Sequence, residues 1–349
     1  MSRLPRADLL HVLDHTRHVW SDFRDARVLV TGATGFVGSW LLESLLFAND
    51  ELRLGLRVTA LVRDREAFAQ RLPHLAEAPA VRVHVGDVRI VDPPTHTFTH
   101  YVHCASAAPP RMNAERPEEV VDVIVRGSAR MIEEAESGHG ARFLQVSSGS
   151  VYGPQAPTLE RISEEHAGTA DAADLSQRFG AAKRQAEIRG LQSVREGVGF
   201  VVARVFAVLG PRLPLDGQFA IGNFFGDALA GRDVRLTGDG TAIRSWLHAA
   251  DLAAWCWTVL ARGTAGRVYN VGSEEAHTLH DAASRIAALA APPSGVRIAR
   301  APDPAVPPSR YVPSTMRARE ELGLETWIPF DDAIARTWAW LQTARHAQP

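Results

Sequence analysis

Val28 to Val30, a short apolar run, breaks into Thr31-Gly32-Ala33-Thr34-Gly35-Phe36-Val37-Gly38 and continues into Ser39-Trp40-Leu41-Leu42-Glu43-Ser44-Leu45-Leu46. Glycines three apart between a buried strand and a helix suit the wrapping of backbone around a pyrophosphate. Gly32 allows the tight turn, Gly35 lets the backbone approach the phosphates, and Gly38 lets the helix pack closely on the strand. The helix start adds free N–H groups and a partial positive charge. Thr34, Phe36 and Val37 fill the loop and belong to the same expected contact surface. At the end of the next apolar run Arg63 and Asp64 stand side by side. An acidic residue there hydrogen-bonds the ribose 2′-hydroxyl of NAD, and an arginine accommodates the 2′-phosphate of NADP. Asp64 has a second possible task, capping the following helix. His11, His15 and His18 lie at i, i+4 and i+7; that spacing allows a shared face, which we read as solvated rather than metal-binding.

These residues need a scaffold, and the chain supplies an alternation. After the glycine loop come strands predicted at 56–62, 81–85, 100–104, 142–146 and 200–206, with helices at 64–72, 117–136 and 179–195. Strands alternating with helices indicate a Rossmann-like, doubly wound parallel sheet covered on both faces, in which ligands bind beyond the carboxyl ends of the strands. Residues 1–25 read as a helical extension, with an amphipathic helix over 7–24 laid on the first strand. Residues 26–205 read mainly as the dinucleotide-binding domain. Residues 206–349 read mainly as a smaller substrate lobe interleaved with it, carrying turn clusters at 210–217 and 237–241 and an alanine-rich helix over 247–260.

Composition narrows the possibilities. The 349 residues are 46% apolar and 22% charged, with a net charge of −2, which gives no electrostatic case for nucleic acid or an anionic membrane. No apolar run approaches the ~20 residues that span a bilayer, and residues 1–8 lack the apolar core of a signal peptide. Cys104 and Cys256 cannot build a disulfide framework and sit in no metal-ligand pattern. The expectation is a cytoplasmic protein with two free thiols and no metal.

With these elements in order, the chain resembles the extended short-chain dehydrogenase/reductase superfamily, specifically its nucleotide-sugar epimerases and dehydratases, over residues 26–341. The landmarks are Thr31 to Gly38, Gly86-Asp87-Val88, His103-Cys104-Ala105-Ser106, Ser147-Ser148-Gly149-Ser150-Val151-Tyr152-Gly153, Lys183, Gly210-Pro211, Gly238 to Thr241 with Arg244, His248 to Asp251, and Tyr269 to Gly272. The resemblance implies NAD as cofactor, with NADP the alternative, and a homodimer built by pairing two helices from each subunit. It implies cofactor contacts at Asp87 and Val88 (the adenine edge), at Cys104, Ala105 and Ser106, and at Lys183, which would hold the nicotinamide ribose. Ser148 would orient the reacting hydroxyl. Gly149, Phe179, Ala207, Asn223 and the diphosphate-binding Arg244 would line the substrate. In such enzymes a sugar hydroxyl is oxidised to a ketone by hydride transfer, and hydride is then returned or water eliminated.

This chain departs from the pattern at the acid/base. A tyrosine four residues before the lysine is the family's proton-transfer group, and Phe179 stands there with no proton to give or take. Either catalysis is lost and binding kept, or another residue supplies the proton transfer, with Tyr152, His103, Cys104, Glu164 and Glu165 the candidates by topology. The relocated base is the favoured expectation, because Ser148 and Lys183 would have little reason to accompany a dead site. Gly149 and Ser150 occupy places where dehydratases and decarboxylases carry acids, and Ala207 replaces a substrate-contacting asparagine. The expected function is therefore an epimerase acting on a nucleotide-linked sugar. The alternatives are a dehydratase acting on an unusual nucleotide sugar or a nucleoside, and a non-catalytic dinucleotide-binding sensor or scaffold.

Overall fold

Apolar runs, buried along nearly their whole length except in the largely exposed edge strand β3, become the strands of one sheet: β1 (Arg27–Thr31), β2 (Arg57–Val62), β3 (Val81–Val85), β4 (His100–His103), β5 (Arg142–Ser148), β6 (Gly199–Val205) and β7 (Val268–Val271). The structure, a computed structural model, describes residues 1–92, 98–106, 116–138, 140–217 and 219–346. The strand order is β7-β6-β5-β4-β1-β2-β3 and every pairing is parallel. The order reverses between β1 and β4, which opens a crevice beyond their carboxyl ends. Around the sheet lie α1 (Arg6–His15), α2 (Phe36–Leu52), α3 (Arg65–Arg71), α4 (Pro117–Ser137), α5 (Arg178–Gln192) and α6 (Ala249–Arg262). The alternation read from the sequence is the observed one, and β7 shows that the last third of the chain also feeds the central sheet.

Two local readings change. The helix expected over 7–24 stops at His15, because Thr16 Oγ1 donates to the Val12 carbonyl (2.5 Å) and takes the Trp20 indole N–H (2.9 Å); a short 3₁₀ turn, Trp20–Phe23, follows. His18 therefore leaves the helix face. His11 bonds Asp251 Oδ1 (2.7 Å) and His15 stacks on Trp327 at 4.0 Å. Among the described residues, no group of three or more metal-ligating side chains is placed to hold an ion. The helix expected from Leu247 begins instead at Ala249, because Leu247–His248 pairs as a strand with Val208–Leu209 and His248 Nδ1 accepts the Ala250 N–H (3.2 Å), capping α6. α6 is buried almost all round, and its Trp257 meets Trp20 and Phe23, so the extension roofs the helix. No described helix is long and apolar enough to cross a membrane.

The smaller lobe is built from short pieces. Ile243–Ser245 pairs antiparallel with Ala276–Thr278 and parallel with Arg310–Tyr311. Gln155 fastens the last of these near the end of β5: its Oε1 accepts the Val312 N–H (2.9 Å), and its Nε2 donates to the Leu159 and Glu160 carbonyls.

Candidate active site

The glycine loop makes a cradle with no room for side chains. Gly32 turns the chain with φ of +70°, and a Cβ there would sit 2.7 Å from the Ala105 nitrogen, so the loop presses against the end of β4. A Cβ on Gly38 would fall 2.2 Å from the Gly32 carbonyl oxygen. Gly35 caps α2 from extended backbone, and its N–H donates to the Gly32 carbonyl (3.0 Å). The N–H groups of Phe36 and Val37 and those following in the first helical turn have no carbonyl to reach within the helix and face an incoming anion. Thr31 Oγ1 bonds His103 Nδ1 (2.8 Å) and accepts the Ala105 N–H (3.2 Å), locking the two strand ends together. A cradle that a single Cβ would fill, at the mouth of a helix, fits a dinucleotide pyrophosphate.

At the end of β2, Asp64 Oδ1 accepts the N–H groups of Glu66 (2.8 Å) and Ala67 (3.0 Å), so it does cap α3. Arg63 beside it is exposed. Asp87 is engaged by Arg89, whose guanidinium holds its carboxyl below the usual range and also reaches Asp122 (2.7 Å). Val88 is buried against Gly127, where a Cβ would meet it at 2.7 Å.

Ser148 closes β5. Its Oγ accepts from the Ser150 N–H (3.2 Å) and the Ser150 hydroxyl (2.9 Å), starting the 3₁₀ turn Gly149–Tyr152. α5 lies against that turn because Gly180 has no Cβ; one would fall 2.1 Å from the Ser150 carbonyl oxygen. The closeness puts Lys183 at the end of β5, where its Nζ donates to the Val146 carbonyl (2.8 Å). Burial pushes Lys183 down to about 8, with Cys104 and Glu187 opposing. The Phe179 ring lies one turn earlier, its centroid 5.9 Å from Lys183 Nζ. One turn later, Glu187 accepts the Ser147 hydroxyl (2.5 Å) and a fork from Arg204 (2.6 to 3.2 Å).

Of the five candidate replacements for the missing base, four are engaged by other groups, and Cys104 is a free thiol. Tyr152 is the clearest correction: its hydroxyl donates to Asn270 Oδ1 (2.8 Å), its ring lies 4.7 Å from the Arg204 guanidinium, and burial pushes it up to about 12. His103 is bound at both nitrogens, by Thr31 and by Ser128 (3.2 Å). Desolvation pushes the Cys104 thiol up to about 12. Glu164 accepts the Asn270 N–H (2.7 Å), and the exposed Glu165 pairs with Arg317 (2.5 Å).

Tyr311, which sequence reasoning passed over, is the aromatic residue that meets Ser148. Its ring packs on Phe206 at 4.6 Å, its hydroxyl interacts with the Ser148 side chain, and a Cβ on Gly149 would fall 2.6 Å from that hydroxyl. It stands in register with Arg244 on the neighbouring parallel strand. Arg244 donates to the Ile243 (2.8 Å) and Ser309 (3.1 Å) carbonyls. Ala207 offers a methyl at the end of β6, and Asn223 spends its amide N–H on the Gly217 carbonyl (3.0 Å), closing a loop.

Three histidines make the fold acid-sensitive. Burial pushes His103 and His248 down to about 3 and His100 to about 4, with Lys183, Arg336 and Arg142 respectively adding to the effect. Each stays neutral in the folded chain and takes a proton on unfolding, so below pH ~6.5 the unfolded state binds more protons. Stability is expected to fall with falling pH by up to about 1.4 kcal/mol per unit for each histidine. Urea unfolding at about pH 7.5 and pH 5 should show a much lower midpoint in acid, and equal midpoints would contradict this.

A parallel sheet with its order reversed at β1, a glycine cradle at that point, and a serine and a lysine at the adjoining strand end define a Rossmann-type dinucleotide-binding protein. A profile of the NAD dependent epimerase/dehydratase family matches residues 28–272. The chain belongs to this family, within the extended short-chain dehydrogenase/reductase superfamily, and its dinucleotide is NAD. Among its relatives, UDP-glucuronic acid decarboxylase 1 of Arabidopsis thaliana is 27% identical over 311 residues, covering 89% of this chain and 68% of that protein. A dTDP-glucose 4,6-dehydratase of an Actinoplanes species is 28% identical over 330 residues, covering 91% and 98%. In fold, an epimerase from Methanothermobacter thermautotrophicus superimposes with a TM-score of 0.77 at 24% identity, covering 96% of each chain.

Proposed function

We propose that this protein is an NAD-dependent epimerase acting on a nucleotide-linked sugar through a transient ketone. The observation carrying the reading is that one strand end, β5, brings Ser148 and the buried Lys183 together beside the β4 end that the glycine cradle touches. NAD, when bound, supplies a hydride acceptor and donor. The cradle of Gly32, Gly35 and Gly38 would hold its pyrophosphate and Lys183 its nicotinamide ribose. Ser148 would orient the sugar hydroxyl, and Arg244 would pair its forked donors with the nucleotide diphosphate. Gly149 and Ser150 offer no carboxyl at the strand end, which favours returning the hydride over elimination or decarboxylation. A 4,6-dehydratase is the second reading, supported by the relatives of that name.

The test is incubation of purified protein and NAD with UDP- and dTDP-linked sugars in deuterated water. A changed stereocentre with no loss of water or carbon dioxide supports epimerisation, a 4-keto-6-deoxy product supports the second reading, and inertness toward every sugar removes both. Ser148→Ala should lower turnover by roughly 10²-fold while NAD affinity stays within a few fold, since it removes a positioning contact to the substrate alone. Steady-state kinetics with calorimetric NAD titration checks this.

A further inference from the structure

Phe179 leaves the reaction without its usual proton carrier, and a hydroxyl from elsewhere in the chain stands at Ser148 instead. We propose that Tyr311 is the acid/base: its hydroxyl takes the proton of the reacting sugar hydroxyl and returns it, from the strand Arg310–Tyr311 rather than from α5. This rests on the reading above.

Four observations converge. The Tyr311 hydroxyl meets the side chain of Ser148, the residue placed to orient the sugar hydroxyl. The approach is possible because position 149 is glycine; a methyl there would lie 2.6 Å from the hydroxyl and 2.7 Å from the Phe206 ring that supports the tyrosine from the other side. Arg244 lies beside Tyr311 in the parallel register, so a cation accompanies the phenol as a lysine accompanies the family's tyrosine. Gln155 fixes the strand through the Val312 N–H. The chemistry balances. The sugar O–H bond breaks, and its proton goes to the Tyr311 phenolate. The C–H bond breaks and its electron pair leaves as hydride, for which NAD in the cradle would be the acceptor, as C=O forms; when hydride is returned to that carbon, the phenol gives the proton back to the oxygen. Burial raises Tyr311 above the ordinary phenol range, the Ser148 contact and Arg244 pull it down, and Tyr152 pushes it up. Positive charge arriving with the oxidised dinucleotide acts in the same direction as Arg244.

The test compares wild type and Tyr311→Phe in two ways. In kinetics, Tyr311→Phe should lose roughly 10²–10⁴-fold in kcat, with KM for the sugar nucleotide and Kd for NAD within about threefold. In carbon NMR of chain labelled at tyrosine Cζ, which has four tyrosines, the resonance of Tyr311 should titrate at lower pH when NAD is added, an effect that a hydroxyl remote from the nicotinamide would not show. Should Tyr311→Phe fail to fold, that resonance is assigned by elimination with Tyr→Phe changes at 101, 152 and 269, and it decides alone. Wild-type turnover with Tyr311→Phe within threefold of it, or a Tyr311 resonance indifferent to NAD, overturns this inference and leaves the proposed function standing. A wild type inert toward all sugars overturns both.

Discussion

Glu187→Ala is expected to destabilise the fold by about 3–5 kcal/mol, the cost of leaving a buried charge without its partner. Glu187 is 1% exposed and satisfies two donors from neighbouring strands, the Ser147 hydroxyl and the Arg204 guanidinium. Arg204 itself lies against the Tyr152 ring at 4.7 Å, and only 11% of its side chain is exposed. The carboxylate also keeps α5 in step with the sheet, because Phe179, Lys183 and Glu187 follow at four-residue spacing along one face. Urea unfolding of Glu187→Ala should show the loss directly. Replacing both partners, Glu187→Leu with Arg204→Met, should recover most of it, since removing a whole buried pair is close to neutral. A single-mutant loss below about 1 kcal/mol would mean that Arg204 finds water.

Gly38→Ala is expected to cost roughly a hundredfold in NAD affinity. The added carbon would sit 2.2 Å from the Gly32 carbonyl oxygen and 2.8 Å from its carbon, both of them backbone atoms. Relief requires α2 to shift away from the loop, and overpacking of this kind costs about 1–3 kcal/mol, with each 1.4 kcal/mol a factor of ten in affinity. The shift costs the fold as well as the site, because the buried Trp40 and Leu41, two and three residues on in α2, move with it. Calorimetric NAD titration beside a thermal melt separates the two. Unchanged affinity would show that the cradle is not the pyrophosphate site.

The parts of this molecule that could be read from residue order are those whose signals are local. β1, β2 and β5 are apolar runs because both sheet faces are covered, and the glycine loop is a steric requirement written in three positions. Ser148 and Lys183 are placed by the resemblance to the family's serine and lysine positions, not by a local signal of their own. Tyr311 escaped because nothing near it signals a strand: Arg310–Tyr311 is two residues long, follows the irregular segment Ala301 to Pro308, and exists through pairing with Ile243–Ser245 and the bond to Gln155. Tyr152 misled because it lies four positions from Ser148 in the chain while its hydroxyl is directed to Asn270. The N-terminal helix ended early through one threonine hydroxyl, which no hydrophobic period reveals.

The two-residue strand bearing Tyr311 also sets an order of events during synthesis. All seven strands of the central sheet have emerged once Val271 has left the ribosome, whereas Tyr311 arrives later and docks on a scaffold already able to form. Domains fold from the amino end as they are made. The segments of the glycine cradle therefore leave the ribosome well before the Tyr311 hydroxyl that we propose as the acid/base.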